Sequence, residues 1–172
     1  YRSKVVRLLV LDDTMQDRVE MMLTEVGVDL SQIVFHQVTY ADVWTRDYGP
    51  VFIKNSSETA LLKFRHDAYG EKWQELLVDN DVFKTLKDNV GYRMFEADFV
   101  LEGGAVEGNG AGTLLTTEQC LLQNRNRGKT KEENEDILKQ MYGAKNIIWL
   151  NQGLTNDHTD GHIDEIARFV SP

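Results

Sequence analysis

Asn156-Asp157-His158-Thr159-Asp160-Gly161-His162-Ile163-Asp164-Glu165 places two histidines and four acids within ten residues, and the chain then turns apolar at Ile166, Ala167, Phe169 and Val170. A buried strand does not take so many titratable groups, and a solvated loop has no need of the apolar run. The pattern predicts a polar site running into a core strand over 166–170. Two chemistries fit it. His158 and His162 stand four residues apart with Asp164 beyond them, the spacing of a two-histidine metal site. Such pairs sit on helices, where both rings share a face, and Thr159, Asp160 and Gly161 are poor helix-interior residues. The second chemistry needs no metal: His162 moves protons while Asp164 holds its ring and raises its pKa.

Two further polar stretches interrupt apolar segments. Asp47 lies in Trp44-Thr45-Arg46-Asp47-Tyr48-Gly49-Pro50, and Glu102 in Leu101-Glu102-Gly103-Gly104. Brought into one pocket, Asp47, Glu102 and Asp164 would suit a guanidinium, which offers five donors in a planar fork and stays charged at any working pH. His162 beside them would supply and remove protons. No nucleophile accompanies these residues.

The elements that must position the loops recur in order. Val5–Leu11 reads as a buried strand, followed by a helix capped at Asp13 or Thr14 and stopped at Gly27. Strand Ile33–Phe35, the Asp47 loop, and strands Val51–Ile53 and Ala60–Phe64 come next, the last two joined by the Asn55-Ser56-Ser57 turn. After a polar excursion over 66–78, a helix near Val82–Asn89 stops at Gly91, and strand Tyr92–Phe95 leads to the Glu102 loop. Ala105-Val106 and Thr113–Thr117 flank a Gly108-Asn109-Gly110 hairpin signal. A third pass opens on the capping box Thr130-x-x-Glu133, ends its helix at Gly143, and reaches strand Asn146–Leu150 before the His162 stretch. Three non-identical copies at nearly even intervals argue for radial repetition rather than a doubly wound sheet. A radial fold sets equivalent loops around one axis, which would bring Asp47, Glu102 and His162 together. The third copy lacks a returning strand before Ser171-Pro172, so the expectation is a truncated chain.

Composition bounds the partners. The 172 residues are 41% hydrophobic and 27% charged, ordinary globular values. A net charge of −9, from 28 acids and 19 bases, argues against a nucleic-acid backbone and suits a small cation. Cys120 is the one cysteine, so no internal disulfide can form, which fits a reducing compartment. No apolar run approaches a membrane span.

Taken together, Trp44–Pro50, Leu101–Gly104, Thr117-Glu118-Gln119-Cys120-Leu121-Leu122 with Asn124-Arg125-Asn126, and Thr159–Asp164 resemble the agmatine deiminases and the related Porphyromonas-type peptidyl-arginine deiminases. The match follows the family's order along nearly the whole chain. The resemblance implies a guanidino-group modifying enzyme with an α/β fold, the pseudo-fivefold α/β-propeller of the penteins. The chain would be the N-terminal part of one catalytic domain, with about three modules at roughly 1–65, 66–125 and an incomplete 126–172. It implies that Asp47 and Asp164 grip the guanidinium nitrogens, His162 is the general acid/base, Glu102 supports it and Trp44 walls the substrate channel. The implied reaction is attack of a cysteine thiolate on the guanidinium carbon, loss of ammonia, then hydrolysis of the thiouronium, with neither metal nor cofactor. Agmatine would give N-carbamoylputrescine, and peptidyl arginine would give peptidyl citrulline.

One part of the pattern is absent. The family's nucleophile lies in a Gly-rich, His-Cys segment that this sequence does not contain, and Cys120 reads as a buried packing thiol. The chain alone is therefore expected to be inactive. Agmatine is preferred over peptidyl arginine because nothing points to secretion, and a cytoplasmic location is expected. The alternatives are a metal-dependent hydrolase using His158 and His162, and a non-catalytic fragment that only binds ligand; a homodimer is left open. Further expectations are that His158 and Asp160 either shape the loop or touch substrate, and that Arg46 pairs with a site carboxylate. Gly103 and Gly104 are read as allowing close backbone approach, and Arg125–Lys131 as a solvated loop and helix start.

Overall fold

Apolar runs of strand length, separated by glycine-terminated helices, fold here as three small sheets and not as one wide sheet. The computed structural model describes residues 5–172. β1 (Val6–Val10) and β2 (Ile33–Gln37) pair in parallel across helix α1 (Asp13–Glu25). Asp12 caps α1 by accepting the Met15 N–H at 2.8 Å, one residue earlier than the expected cap. A single turn, α2 (Thr45–Tyr48), precedes β3 (Val51–Lys54), which is antiparallel to β4 (Thr59–Arg65). The chain then passes through α3 (Ala68–Glu71), a 3-10 stretch over Gln74–Asp81 and helix α4 (Val82–Val90) to β5 (Arg93–Val100), parallel to β4. The third sheet repeats the second. β6 (Val106–Gly108) is antiparallel to β7 (Thr113–Thr117), and a π-helical segment Gln119–Arg125 and helix α5 (Lys131–Tyr142) lead to β8 (Asn146–Leu150), parallel to β7.

The repeated unit is thus a hairpin, a crossover helix and a third strand. Its ladders run across residues 65 and 125, because each crossover helix returns the chain to the sheet it left. The chain leaves a sheet only after the strand that the crossover helix delivers: β2, β5 and β8. Asp47 lies on the crossing from β2 to β3, Glu102 on that from β5 to β6, and His162 on the segment after β8. Equivalent positions in a repeat therefore carry the three residues. α4 and α5 end at Gly91 and Gly143, both left-handed at φ 71 and 67, where a side chain would be strained.

The main core is shared by the second and third sheets. Leu62, Phe64, Ala97 and Phe99 meet Ala105, Val106 and Leu114 beneath Leu138 of α5, with Cys120 and Leu121 closing one end. Each such large apolar side chain contributes about 1.5–3 kcal/mol on burial. A smaller cluster of Val38, Tyr48, Val82 and Leu86 anchors the turn that carries Asp47. No helix among the described residues is long and apolar enough to cross a membrane.

Two local expectations are corrected. Residues 166–170 form no strand: after the 3-10 turn Ile163–Glu165 they meet no ladder partner among the described residues, and Ile166 and Val170 are exposed. Apolar composition alone cannot satisfy strand backbone groups. The 66–78 excursion, read only as polar, contains four successive positive-φ residues, Ala68, Tyr69, Gly70 and Glu71. For the three non-glycines this costs roughly 1–2 kcal/mol each. Asp67 offsets part of it, its carboxylate accepting the Gly70 N–H at 2.7 Å and its carbonyl the Glu71 N–H at 2.8 Å.

The expected capping box on α5 is formed: Thr130 Oγ1 accepts the Glu133 N–H at 3.2 Å and the Glu133 carboxylate accepts the Thr130 N–H at 2.7 Å. Thr130→Ala should therefore cost about 1 kcal/mol. Thermal denaturation followed by circular dichroism should show a Tm lower by a few degrees; an unchanged Tm would mean that α5 does not limit stability.

Candidate active site

Leu101, just past the end of β5, is buried in the core, and the extended backbone at Glu102 turns that carboxylate inward, where it is fully buried. Both of its oxygens accept from Arg125 Nε, at 2.9 and 3.0 Å. His162 Nε2 lies 3.6 Å from Glu102 Oε2, and His66 Nδ1 lies 3.8 Å from Oε1. Burial works against the anion, yet the His162 contact and the Arg125 charge outweigh it and hold the carboxyl down at about 2.

His162 is carried by a loop built from its own side chains. Asp157 accepts the Thr159 and Gly161 N–H groups at 2.9 and 2.8 Å, and Thr117 Oγ1 donates to the Gly161 carbonyl at 2.6 Å. Gly161 is left-handed at φ 93 and packs so closely on Gly153 that a Cβ on the latter would sit 2.1 Å from the Gly161 Cα. The ring is 1% exposed. Its Nδ1 is 3.8 Å from Asp47 Oδ1 and 3.9 Å from Asp164 Oδ1. Three carboxylates surround the imidazole, each beyond hydrogen-bond length, and Nε2 has no hydrogen-bond partner among the described residues. Burial opposes the imidazolium, but contacts with Cys120 and Glu102 raise its pKa well above the ordinary value. Burial also pushes the Cys120 thiol up, which leaves Glu102 as the standing counter-charge.

Asp47 is fixed from two sides. Its Oδ1 accepts the Gly104 N–H at 3.0 Å, and its Oδ2 accepts the Tyr69 hydroxyl at 2.9 Å. Burial raises its pKa against the lowering effects of His162, Tyr69 and Gly104. Gly104 is the common wall of the site. A Cβ there would lie 2.6 Å from His162 Nδ1, 2.8 Å from Asp47 Oδ1 and 2.9 Å from Asp164 Oδ2. A Cβ on Gly103 would lie 2.1 Å from the Arg46 carbonyl, so both glycines permit close backbone approach.

Asp47, His162 and Asp164 open into a cavity of about 610 Å³. Trp44, Tyr69, Trp73 and Leu76 form apolar walls, and Asp42, Glu75, Asp157 and Glu165 add acids. Trp44, 60% exposed, stands at the rim, and His158 is an exposed lining residue. A larger cavity of about 940 Å³, beside Phe52 and the Gly108–Gly112 turn, contains none of Asp47, Glu102, His162 and Asp164. Size therefore does not mark the chemistry here.

The fold thus brings Asp47, Glu102, His162 and Asp164 together, with Trp44 at the entrance. It does not assemble the metal set read from His158, His162 and Asp164. Among the described residues, the three side chains that could offer a metal one ligating atom each are Glu102, Cys120 and His162, with those atoms within 4.8 Å of one another. His158 lies outside because the loop around Gly161 is not a helix and the two rings share no face. Cys120 packs in the core and does not line the cavity. Arg46 is exposed and makes no ion pair among the described residues, contrary to expectation. Arg125 departs further: read as part of a solvated run, it is buried against Glu102. Its signal was the apolar Cys120-Leu121-Leu122 just before it, which buries the turn that carries it. Tyr69 and His66 had no signal, since a left-handed turn places the first and a distant loop the second.

Comparison with known proteins agrees with this architecture. The family model described as Porphyromonas-type peptidyl-arginine deiminase matches residues 1–172. A putative agmatine deiminase of Legionella pneumophila (strain Paris) is 43% identical over 133 residues, covering 76% of this chain and 38% of the relative. An agmatine deiminase of Ectopseudomonas mendocina is 37% identical over 155 residues, covering 84% of this chain and 41% of its own length. Among solved structures, an agmatine deiminase of C. jejuni with substrate bound superposes with a TM-score of 0.84 at 32% identity, over 97% of this chain and 48% of that one. A putative arginine deiminase of Porphyromonas gingivalis gives 0.85 at 30% identity, over 99% and 50%. The chain spans about two fifths of the curated relatives and about half of the solved ones. By sequence and by its repeated α/β-propeller sheets, the chain belongs to the Porphyromonas-type peptidyl-arginine deiminase family.

Proposed function

We propose that this chain is the N-terminal part of a guanidine hydrolase, and that it supplies the guanidinium grip and the proton-transfer group. The observation that carries the reading is the buried His162 ring, encircled by Asp47, Glu102 and Asp164 and tied by none of them through a short hydrogen bond. A planar cation entering from the cavity would donate N–H bonds to Asp47 and Asp164, aligning its carbon beside the imidazole. Asp47 is preorganised for this by Tyr69 and Gly104. Glu102, kept anionic by Arg125, would hold the His162 proton ready.

The reaction then proceeds in two halves. A cysteine thiolate attacks the guanidinium carbon and forms the C–S bond. One C–N bond breaks, and the departing nitrogen takes the His162 proton and leaves as ammonia. Neutral His162 next removes a proton from water, the hydroxyl adds to the thiouronium carbon, and the C–S bond breaks to give a ureido product and the free thiolate. The thiolate is proposed to come from sequence that the longer relatives possess and this chain does not span. Cys120 is a poor candidate, being fully buried with a raised thiol pKa. The substrate-bound C. jejuni structure is a variant with serine in place of a cysteine, which supports cysteine chemistry in that relative.

Agmatine is the proposed substrate. Beyond the Asp47–Asp164 pair the cavity carries Asp42, Glu75, Asp157 and Glu165, a setting for a second cation. The ammonium end of agmatine supplies one, with the π faces of Trp44 and Trp73 in reach, whereas a peptidyl arginine presents neutral amides there. Peptidyl arginine is kept as the second reading because the matching family model bears that description. A cytoplasmic location is part of the same proposal, as the compartment that supplies a small cationic substrate.

Three outcomes test these statements in the full-length protein. A ureido-group colour assay should give product with agmatine and little with a blocked peptidyl arginine, and Asp47→Asn should lower kcat/KM for agmatine roughly 10–100-fold. Product from the peptide alone would reassign the substrate. Gly104→Ala should cost about a hundredfold in kcat/KM, since its Cβ displaces three site atoms; near-normal turnover would dissolve the inferred geometry. The raised His162 pKa keeps the imidazolium through neutral pH and releases its proton only as pH climbs through the raised value. The alkaline fall of the rate should therefore lie above the ordinary histidine value of 6.5. A fall centred at or below 6.5 would show that Glu102 does not hold the proton.

A further inference from the structure

Arg125 joins three chain segments at one buried point, whereas Lys72 links two of them at the surface. It closes the π-helical turn Gln119–Arg125, and its side chain is wholly buried. Nε donates to both Glu102 oxygens, Nη1 donates to Asp160 Oδ2 at 3.1 Å, and Nη2 donates to the Thr159 carbonyl at 2.9 Å. Asp67 Oδ1 lies 3.5 Å from Nε, at the start of the left-handed turn that delivers Tyr69 to Asp47. A Cβ on Gly70 would lie 2.9 Å from Nη1, so that turn is folded closely over the guanidinium. One side chain thus contacts the loops that carry Glu102, His162 and Tyr69.

We propose that Arg125 is the positioning residue of this site: it holds Glu102 as an anion against His162 and fixes the loop on which His162 rides. The proposal rests on the deiminase reading above. Stability alone is a weak reason for such an arrangement, because the desolvation of a buried ion pair offsets most of its attraction. Arginine is required by shape. Its planar fork reaches a carboxylate with one edge and two acceptors of another loop with the other, whereas a lysine ammonium is a single point of charge.

The charged neighbours define what its loss would do. Arg125 faces Glu102, Asp67, Asp160 and Cys120. Glu102 faces Arg125, His162, His66 and the Cys120 thiol, with Asp67, Asp47 and the Tyr69 hydroxyl nearby. Without the guanidinium, Glu102 would remain buried with the His162 imidazolium as its nearest cation, because burial pushes His66 down to about 4 and keeps it neutral, and Glu102 would protonate at higher pH. The substrate grip would lose no direct contact, since neither Asp47 nor Asp164 bonds to Arg125 and the Gly104 N–H still holds Asp47.

The test compares Arg125→Gln, Arg125→Lys, Asp160→Asn and Lys72→Ala in the full-length protein, with agmatine as substrate and circular dichroism to confirm folding. In Arg125→Gln, kcat should fall about a hundredfold or more with KM within a few-fold of the parent, and the acidic limb of the rate profile should move up by about one pH unit. Arg125→Lys keeps the charge, so the limb should return while kcat recovers only in part. Asp160→Asn weakens the Nη1 contact and the Lys72 ion pair while the Nη2 bond to Thr159 remains, and should lower kcat several-fold without moving the limb. Lys72→Ala, which removes the ion pair without touching Arg125, should leave kcat within twofold. Equal losses in Arg125→Gln and Arg125→Lys with an unmoved limb would reduce Arg125 to a packing strut and overturn the proposal. So would a kcat in Arg125→Gln within threefold of the parent. If Arg125→Gln does not fold, Arg125→Lys and Asp160→Asn decide: an unmoved limb with partial kcat in the former and a reduced kcat in the latter uphold it, and unchanged kcat in both overturns it. A parent protein without any agmatine turnover would instead refute the deiminase reading, an outcome separate from all of these.

Discussion

A fully buried carboxylate costs several kcal/mol unless its charge is met in place. Glu102 meets that condition through Arg125 on one side and the His162 ring on the other. The geometry around it follows from the need to bring four distant segments to one point. The crossing after β5 brings Glu102, the turn after β7 brings Arg125, the segment after β8 brings His162, and the strained turn after β4 brings Asp67 beside His66. Each segment is tied to another: Thr117 to Gly161, Arg125 to Thr159 and Asp160, Asn80 to His66. The buried charge and the loop ties are one network.

Modular repetition makes this convergence economical. Each of the three loops follows the strand that is reached by its sheet's crossover helix, so Asp47, Glu102 and His162 leave equivalent strand ends and face a common space. Close approach is then limited by side-chain volume. Gly103, Gly104 and Gly153 lie at such limits, where a Cβ would collide with backbone or with site atoms. The left-handed run at Ala68–Glu71 is strain tolerated for a similar reason, since it aims Tyr69 at Asp47 while covering Arg125.

The electrostatics separate into two layers. Beneath the site, Glu102 and Arg125 are paired and dry. Above it, Asp47 and Asp164 line an acidic cavity and, among the described residues, lack a cationic partner at hydrogen-bond length. A cation arriving from solvent would complete the upper layer and leave the lower one unchanged. His162 lies between the two, positioned to pass a proton from one to the other.

The sequence by itself determined most of the strands (ending the one over 92–95 short of its true end at Val100), the helix stops at Gly91 and Gly143, the Thr130–Glu133 cap and the family resemblance of the polar loops. All of these depend on residues within a few positions of one another, where periodicity, capping and glycine's conformational freedom act locally. It also suggested the meeting of Asp47, Glu102 and His162, because a repeat places equivalent loops alike. Only the tertiary structure decided that Arg125 leaves its basic run for the interior, that Tyr69 fastens Asp47, that His158 stays outside and that residues 166–170 form no strand. Those outcomes depend on partners far along the chain, such as Arg125 with Asp160 and Tyr69 with Asp47, and on whether a neighbouring strand exists to complete a ladder. Burial of a charge is settled by what surrounds it in space, and no local pattern of residue types records that.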